Sequence, residues 1–454
     1  MTEIIGPVHL VGIGGMHMSA IALLLRERGI EVTGSDLRPS ALTAKAQVVG
    51  AKVFEGHSAD NLGNPLLVVT TAAADDANPE IAEARRLGIP VILRAEMVAR
   101  LMEGKRVIAV AGAHGKTTTS SLLAFILREA GRNPMYLLGG ESIDLGGHAA
   151  WGGGDICVVE ADEYKRAFHE YRPAVAVITN VEPDHLDYYG SDDAYHEAFT
   201  HFASLVQPGG LLLVCADDPG SARLDGAAAG ARNETYGTSA GATWTATDVR
   251  KSASGADFTV WHRGTEMGEL HVPFPGDNFV RNALAAAAVC LQEGVSFDTI
   301  RGALAKVHGA HRRFETVGGA SGVLVMDDYA HHPTEVRSTI ATARAAFPGR
   351  RLIVVYQPHT YSRIAYLWDE WTRCWDGIDE LIVLETYAAR ENPEGGKSAR
   401  DLTDAINTPA AHYAEDFAAA AALAVGLARP GDVIFTMGAG DVVEVGPKIV
   451  ELLQ

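Results

Sequence analysis

Two kinds of segment alternate along the 454 residues: short continuous runs of Val, Ile, Leu and Ala, and longer stretches whose apolar residues recur at helical spacing. Strands buried on both faces read as continuous apolar runs, so this alternation predicts parallel α/β layers. The runs fall at 7–12, 106–111, 155–160, 174–180, 211–215, 351–357, 380–385 and 432–437. Between 231 and 275 the helical period disappears and Thr, Val, Trp and Gly become frequent, which predicts an antiparallel β excursion inside the middle of the chain. Two breaks mark domain edges. "LMEGKRVIAV" passes from helix through Gly104 into a new strand, and "HGAHRRFETVGG" does the same near 315. The expected organisation is therefore 1–103, 104–315 and 316–454.

Composition narrows the classes without choosing among them. With 47% hydrophobic and 21% charged residues, the chain has enough apolar material for about three cores. Its 38 basic and 57 acidic residues give a formal charge of −19, and no Lys/Arg block stands out. Nucleic acid and anionic membranes are poor partners for such a surface, which leaves small molecules. Cys157, Cys215, Cys290 and Cys374 are far apart with no C-x-x-C pair, against a disulfide framework or zinc knuckle. No signal peptide is read at Met1, and no apolar run reaches membrane-spanning length, so the expected location is cytoplasmic.

Candidate chemistry begins at "AGAHGKTTTS", residues 111–120, between an apolar strand and a helical segment. A glycine turn there points successive N–H groups at phosphate oxygens, puts Lys116 within reach of the terminal phosphates and offers the Thr117 hydroxyl to Mg²⁺. The first glycine of the usual phosphate loop is missing, because position 110 is Val110. The plain alternative is a strand-helix turn with an exposed lysine. Downstream, "DICVVEADEYKRAF" ends a buried strand in Glu160, Asp162 and Glu163, and "AVAVITNVEPDHLDYYG" ends another in Glu182, Asp184, His185 and Asp187. Carboxylates at the carboxyl ends of parallel strands beside a phosphate loop suit a metal-nucleotide site. In the first region "VGIGGMHMSA" and Asp36 form half of a dinucleotide fingerprint, but G-x-G-x-x-G fails at His17.

The loop and the "EADE" and "NVEPDH" strand ends together resemble the ATP-dependent Mur ligases of peptidoglycan synthesis, whose loop is typically the shortened G-T-x-G-K-[ST]. "HLVGIGGMHMSAIALLL", "DDYAHHPTEV", "YQPHTYSR" and "YAAREN" extend the likeness nearly end to end. The resemblance implies a Rossmann-like N-terminal domain that binds a UDP-sugar, a central P-loop ATPase-type domain and a Rossmann-like C-terminal domain that closes on nucleotide and amino acid. It implies that L-alanine is joined to the lactyl carboxylate of UDP-N-acetylmuramate through an acyl phosphate, at the expense of ATP with Mg²⁺.

Carried over residue by residue, the likeness implies that Gly112, Ala113, His114, Gly115, Lys116, Thr117 and Thr118 hold ATP. Asn282, Arg313 and Asp328 would complete the nucleotide pocket, and Thr117, Glu160 and His185 would surround two magnesium ions, with Lys116, Glu160 and His185 as the catalytic set. Gly14, Gly15, Ser19, Ser35, Asp36 and Thr71 would bind the UDP-sugar, and Arg363 or Arg390 the alanine carboxylate. The chain departs from the family pattern at His17 for a glycine, Ala113 for a threonine, Asn278-Phe279 for His-Asn, and Thr360 for an arginine. Some members carry a carbamylated lysine after the "DH" dipeptide, but here no lysine occurs between Lys165 and Lys251. Rival readings are a recycling ligase of the same family that attaches a tripeptide, an NAD-dependent oxidoreductase with a fused P-loop domain, and a non-catalytic UDP-sugar sensor.

Overall fold

A computed structural model describes residues 6–71, 74, 77–389, 391 and 396–454. All the continuous apolar runs are strands, and their residues are almost entirely buried, as strands with helices on both faces must be. The chain forms two compact units, one of Met1–Thr247, Val260–Gly268 and Asn282–Leu304, the other of the remaining residues.

The first sheet holds β1 (Val8–Val11), β2 (Val32–Asp36), β3 (Lys52–Glu55), β4 (Leu67–Thr70) and β5 (Val91–Leu93) in the order β3-β2-β1-β4-β5, all parallel. Its helices include α1 (Met16–Glu27), α2 (Ala41–Val48), α3 (Pro79–Arg86) and α4 (Arg94–Leu101). The order reverses at β1, so the β1–α1 turn opens at the sheet's switch point, where open α/β sheets bind ligands.

The second sheet has ten strands: β6 (Arg106–Ala111), β7 (Met135–Ser142), β8 (Gly147–Ala150), β9 (Ile156–Glu160), β10 (Val175–Ile178), β11 (Leu211–Cys215), β12 (Arg232–Gly237), β13 (Trp244–Ser252), β14 (Gly255–His262) and β15 (Thr265–Val272). They run β15-β14-β13-β12-β11-β10-β6-β9-β7-β8, with helix α5 (Lys116–Glu129) following β6. One buried apolar cluster joins the first sheet and its helices to the core of this second sheet. The β excursion exists, but its opening strand corrects the expectation: β12 pairs parallel with β11, and Tyr236 and Gly237 pair parallel with Trp244 and Thr245. The helix Pro219–Ala222 between β11 and β12 lets the chain re-enter in the same direction, which apolar periodicity does not reveal.

The third sheet holds β16 (Glu315–Ala320), β17 (Val323–Asp328), β18 (Leu352–Tyr356), β19 (Glu380–Leu384), β20 (Ala410–Ala414) and β21 (Val433–Met437). Its order is β16-β17-β21-β18-β19-β20, parallel except for the antiparallel edge strand β16, and it has its own apolar core.

Candidate active site

The loop between β6 and α5 sits at the centre of the second sheet, and the strands on either side of β6 deliver the acidic residues. Gly115 caps α5 with φ +82°, and a Cβ placed there would lie 2.9 Å from the Asn282 amide oxygen. Only glycine meets both demands, and Asn282 is thereby set against the loop. The opening N–H groups of α5 have no intrahelical partner and carry the positive end of the helix dipole, the environment a phosphate takes.

Neighbouring strand ends hold the loop's shape. Asn180 accepts the His114 N–H at 2.9 Å and returns an amide hydrogen to the His114 carbonyl at 2.9 Å, while the Thr179 hydroxyl donates to the same carbonyl at 2.5 Å. The His114 ring faces Glu182 at 3.1 Å. Lys116 donates to the carbonyls of Gly112 and Ala113 and pairs with buried Glu163 at 2.9 Å. Burial opposes its charge, but the Glu163 and Glu160 carboxylates outweigh burial and hold its pKa above the ordinary value. The lysine is a fixed cation, and a phosphate placed in the loop would compete with Glu163 for it.

Thr117 and Glu160 are both buried, and the threonine hydroxyl donates to the carboxylate at 2.9 Å. The same carboxylate oxygen accepts the Gly139 N–H at 2.8 Å. Thr118 follows on α5, half-buried. His185 adopts φ +54°, which swings its ring to 4.0 Å from Glu163 and 3.8 Å from Asp184. Lys116, Thr117, Glu160, Glu163 and His185 therefore gather at one sheet edge. Hydroxyl and carboxylate oxygens are the donors a hard divalent cation takes, and His185 adds a nitrogen beside them.

The first fingerprint meets this edge. Gly14 donates its N–H to Asp36 at 2.8 Å, Gly15 caps α1, and Thr71 leaves β4 next to the turn at Gly12. Ser19 and Ser35 are fully buried with their hydroxyls engaged inside the protein, Ser19 with the Met16 carbonyl and His148, Ser35 with Glu80 and His57. His17 turns its Nδ1 onto Arg94, whose second amino group pairs with Asp162 at 2.7 Å. A guanidinium can only donate, so Nδ1 accepts; burial and then the Arg94 charge lower the His17 pKa to about 3 and keep the ring neutral. Sequence reading missed this Arg94 bridge, as it missed Glu163 as the counter-ion of Lys116 and Gly139 as a donor to Glu160.

In the second unit, Asp328 accepts the N–H groups of Phe314 and Ala330 at 2.8 and 2.9 Å and the Thr339 hydroxyl at 3.1 Å. Burial pushes its carboxyl up to about 6 against the opposing charge of Arg313. Arg313 lies over the Tyr329 ring and 3.7 Å from Glu335. Arg363, on the helix Tyr361–Tyr366, folds back to meet the His359 ring at 3.0 Å, behind Thr360 at φ +67°. Phe279 stacks on Phe274 in the position expected for a polar residue. Arg390 lies outside the described residues.

A buried lysine at the opening of a helix, a threonine-carboxylate pair beside it and a glycine turn at the neighbouring switch point make a phosphate-binding loop beside a second ligand crevice. The chain belongs to the Mur ligase family: the family's catalytic domain matches residues 7–106, its middle domain 110–290, and its glutamate ligase domain 312–440. Within the family it is similar to the UDP-N-acetylmuramate–L-alanine ligases of Kineococcus radiotolerans, 44% identical over 99% of this chain and 96% of that one, and of Saccharopolyspora erythraea, 42% identical over 99% and 94%. Among solved structures, a UDP-N-acetylmuramate-alanine ligase from Thermotoga maritima superposes with a TM-score of 0.83 at 30% identity, covering 98% of this chain and 99% of that one. A murein peptide ligase from Psychrobacter arcticus reaches 0.72 at 26% identity, with 98% of each chain covered.

Proposed function

We propose that this protein joins L-alanine to the lactyl carboxylate of UDP-N-acetylmuramate, forming ADP and phosphate, in the cytoplasmic synthesis of peptidoglycan precursors. Full-length identity of 42–44% to ligases of that name supports the substrate pair. The phosphoryl chemistry rests on one observation, the gathering of Lys116, Thr117 and Glu160 at the loop. Residues 1–103 take the UDP-sugar, 104–315 the nucleotide, and 316–454 close on nucleotide and amino acid. Among the described residues no helix is long and apolar enough to cross a membrane.

The chain's own groups divide the work as follows. Loop N–H groups from Gly112 to Thr118 hold the phosphates of ATP, and Lys116 stabilises the charge that grows on the migrating phosphoryl group. Thr117, Glu160 and His185 would hold Mg²⁺, which when bound would neutralise charge on phosphate oxygens. A carboxylate oxygen of UDP-N-acetylmuramate attacks the γ-phosphorus and ADP departs. The alanine amine then attacks the acyl carbon, and phosphate leaves with that oxygen while the amine proton passes to water or a nearby base. Asn282, Arg313 and Asp328 contribute to the nucleotide site, Gly14, Gly15, Asp36 and Thr71 to the UDP-sugar site, and Arg363 or Arg390 to the alanine carboxylate. Ser19 and Ser35 contribute by shaping the sugar site, since both hydroxyls already serve the protein frame.

Substrate labelled with ¹⁸O in the lactyl carboxylate tests the route. The label should appear in inorganic phosphate; unlabelled phosphate overturns the acyl phosphate step.

A further inference from the structure

The hairpin of β7 and β8 lies between the fingerprint helices and the metal carboxylate, and buried polar contacts tie it to both. On one side, the Ser19 hydroxyl on α1 donates its single hydrogen to the Met16 carbonyl at 2.9 Å. It must therefore accept from His148 Nε2, also at 2.9 Å, with both residues almost wholly buried. Nearby, Lys45 on α2 pairs with Glu141 on β7. On the other side, Ser121 on α5 donates to Ser142 of the hairpin at 2.7 Å, and the Gly139 N–H holds the Glu160 carboxylate. From Ser19 to Glu160 the connection runs through one short hairpin.

We propose that His148, held by Ser19, and Glu141, held by Lys45, are positioning residues that fix the hairpin so that Gly139 keeps Glu160 aimed at the metal, joining the sugar-binding fingerprint to the metal carboxylate. The inference rests on the assignment of Glu160 as a metal ligand above. A group that orients a metal ligand typically changes metal affinity or activity by about 10- to 100-fold when lost. His148 and Glu141 act one contact further out, so a rise of about 3- to 10-fold is expected.

The test measures Mn²⁺ binding to the enzyme–ADP complex by electron paramagnetic resonance, with folding checked by circular dichroism. Ser19→Ala and His148→Leu should each weaken Mn²⁺ binding by about 3- to 10-fold. The double variant should be no worse than the weaker single, because the two changes break one link. The same variants should raise the KM for UDP-N-acetylmuramate and leave that for alanine unchanged. Lys45→Met, at a partly exposed pair, should give a smaller loss of Mn²⁺ affinity and keeps the test open if the buried variants fail to fold. Wild-type Mn²⁺ affinity in every folded variant overturns the positioning role, provided Glu160→Gln weakens binding. Should Glu160→Gln bind Mn²⁺ normally, the metal assignment falls and the inference falls with it.

Discussion

Gly139→Ala isolates the geometry of Glu160, the proposed metal ligand, from the stability of the fold. A Cβ at position 139 would stand 2.3 Å from Glu160 Oε1 and 2.7 Å from Oε2, whereas ordinary contacts begin at 3.4 Å. The carboxylate must retreat by about 1 Å. Because the obstacle is the end of a flexible side chain and Gly139 has no left-handed φ, the cost to folding should stay near the about 1–3 kcal/mol of local overpacking. Catalysis is less tolerant: displacement of about 1 Å can cost roughly 10²-fold. Continuous phosphate release at saturating substrates should show kcat about 100-fold lower, with a raised Mg²⁺ requirement and a Tm lowered by only a few degrees. A kcat within threefold of wild type at ordinary Mg²⁺ would refute the claim that the Gly139–Glu160 contact sets the site.

Lys116→Ala should fold normally and lose about two to three orders of magnitude in kcat; near-normal turnover would remove the loop from the chemistry. Glu160→Gln and His185→Ala should each shift the Mg²⁺ titration upward, and two unchanged titrations would refute their assignment as ligands. With no lysine between Lys165 and Lys251, activity should be indifferent to added bicarbonate or to degassing, and reproducible activation would show the proposed metal site to be misplaced. Arg363→Met should raise the KM for alanine, costing about 2–4 kcal/mol in kcat/KM, with only partial rescue by lysine, which lacks the two-pronged guanidinium. If Arg390→Met has that effect and Arg363→Met does not, the carboxylate site lies at Arg390.

The parts of the fold legible in the sequence are those where burial alone dictates residue type. "RVIAVA" and "LIVVY" read as strands because both faces of each are covered. Short strands such as "VTGSD", mostly buried but partly polar, and the half-exposed "KVFE" carry no such run. The β7–β8 hairpin was equally silent, since "ESIDLGGHAA" has glycines where alternation would show. Direction of pairing is also invisible to periodicity, hence the misread β12. The candidate site divides the same way. Lys116, Thr117, Glu160 and His185 lie in local motifs whose spacing is meaningful by itself, whereas Arg94 with Asp162, Ser19 with His148, and Gly139 with Glu160 meet only through the folded chain.

Ligation of L-alanine to UDP-N-acetylmuramate is most directly tested by measuring phosphate release from ATP with that UDP-sugar while free amino acids and a free tripeptide with an unblocked amino terminus are offered in turn. L-alanine should support turnover, with the UDP-N-acetylmuramoyl-alanine product confirmed by mass spectrometry, and the free tripeptide should not. Turnover with the tripeptide but not with L-alanine would make the protein a recycling ligase and contradict the account.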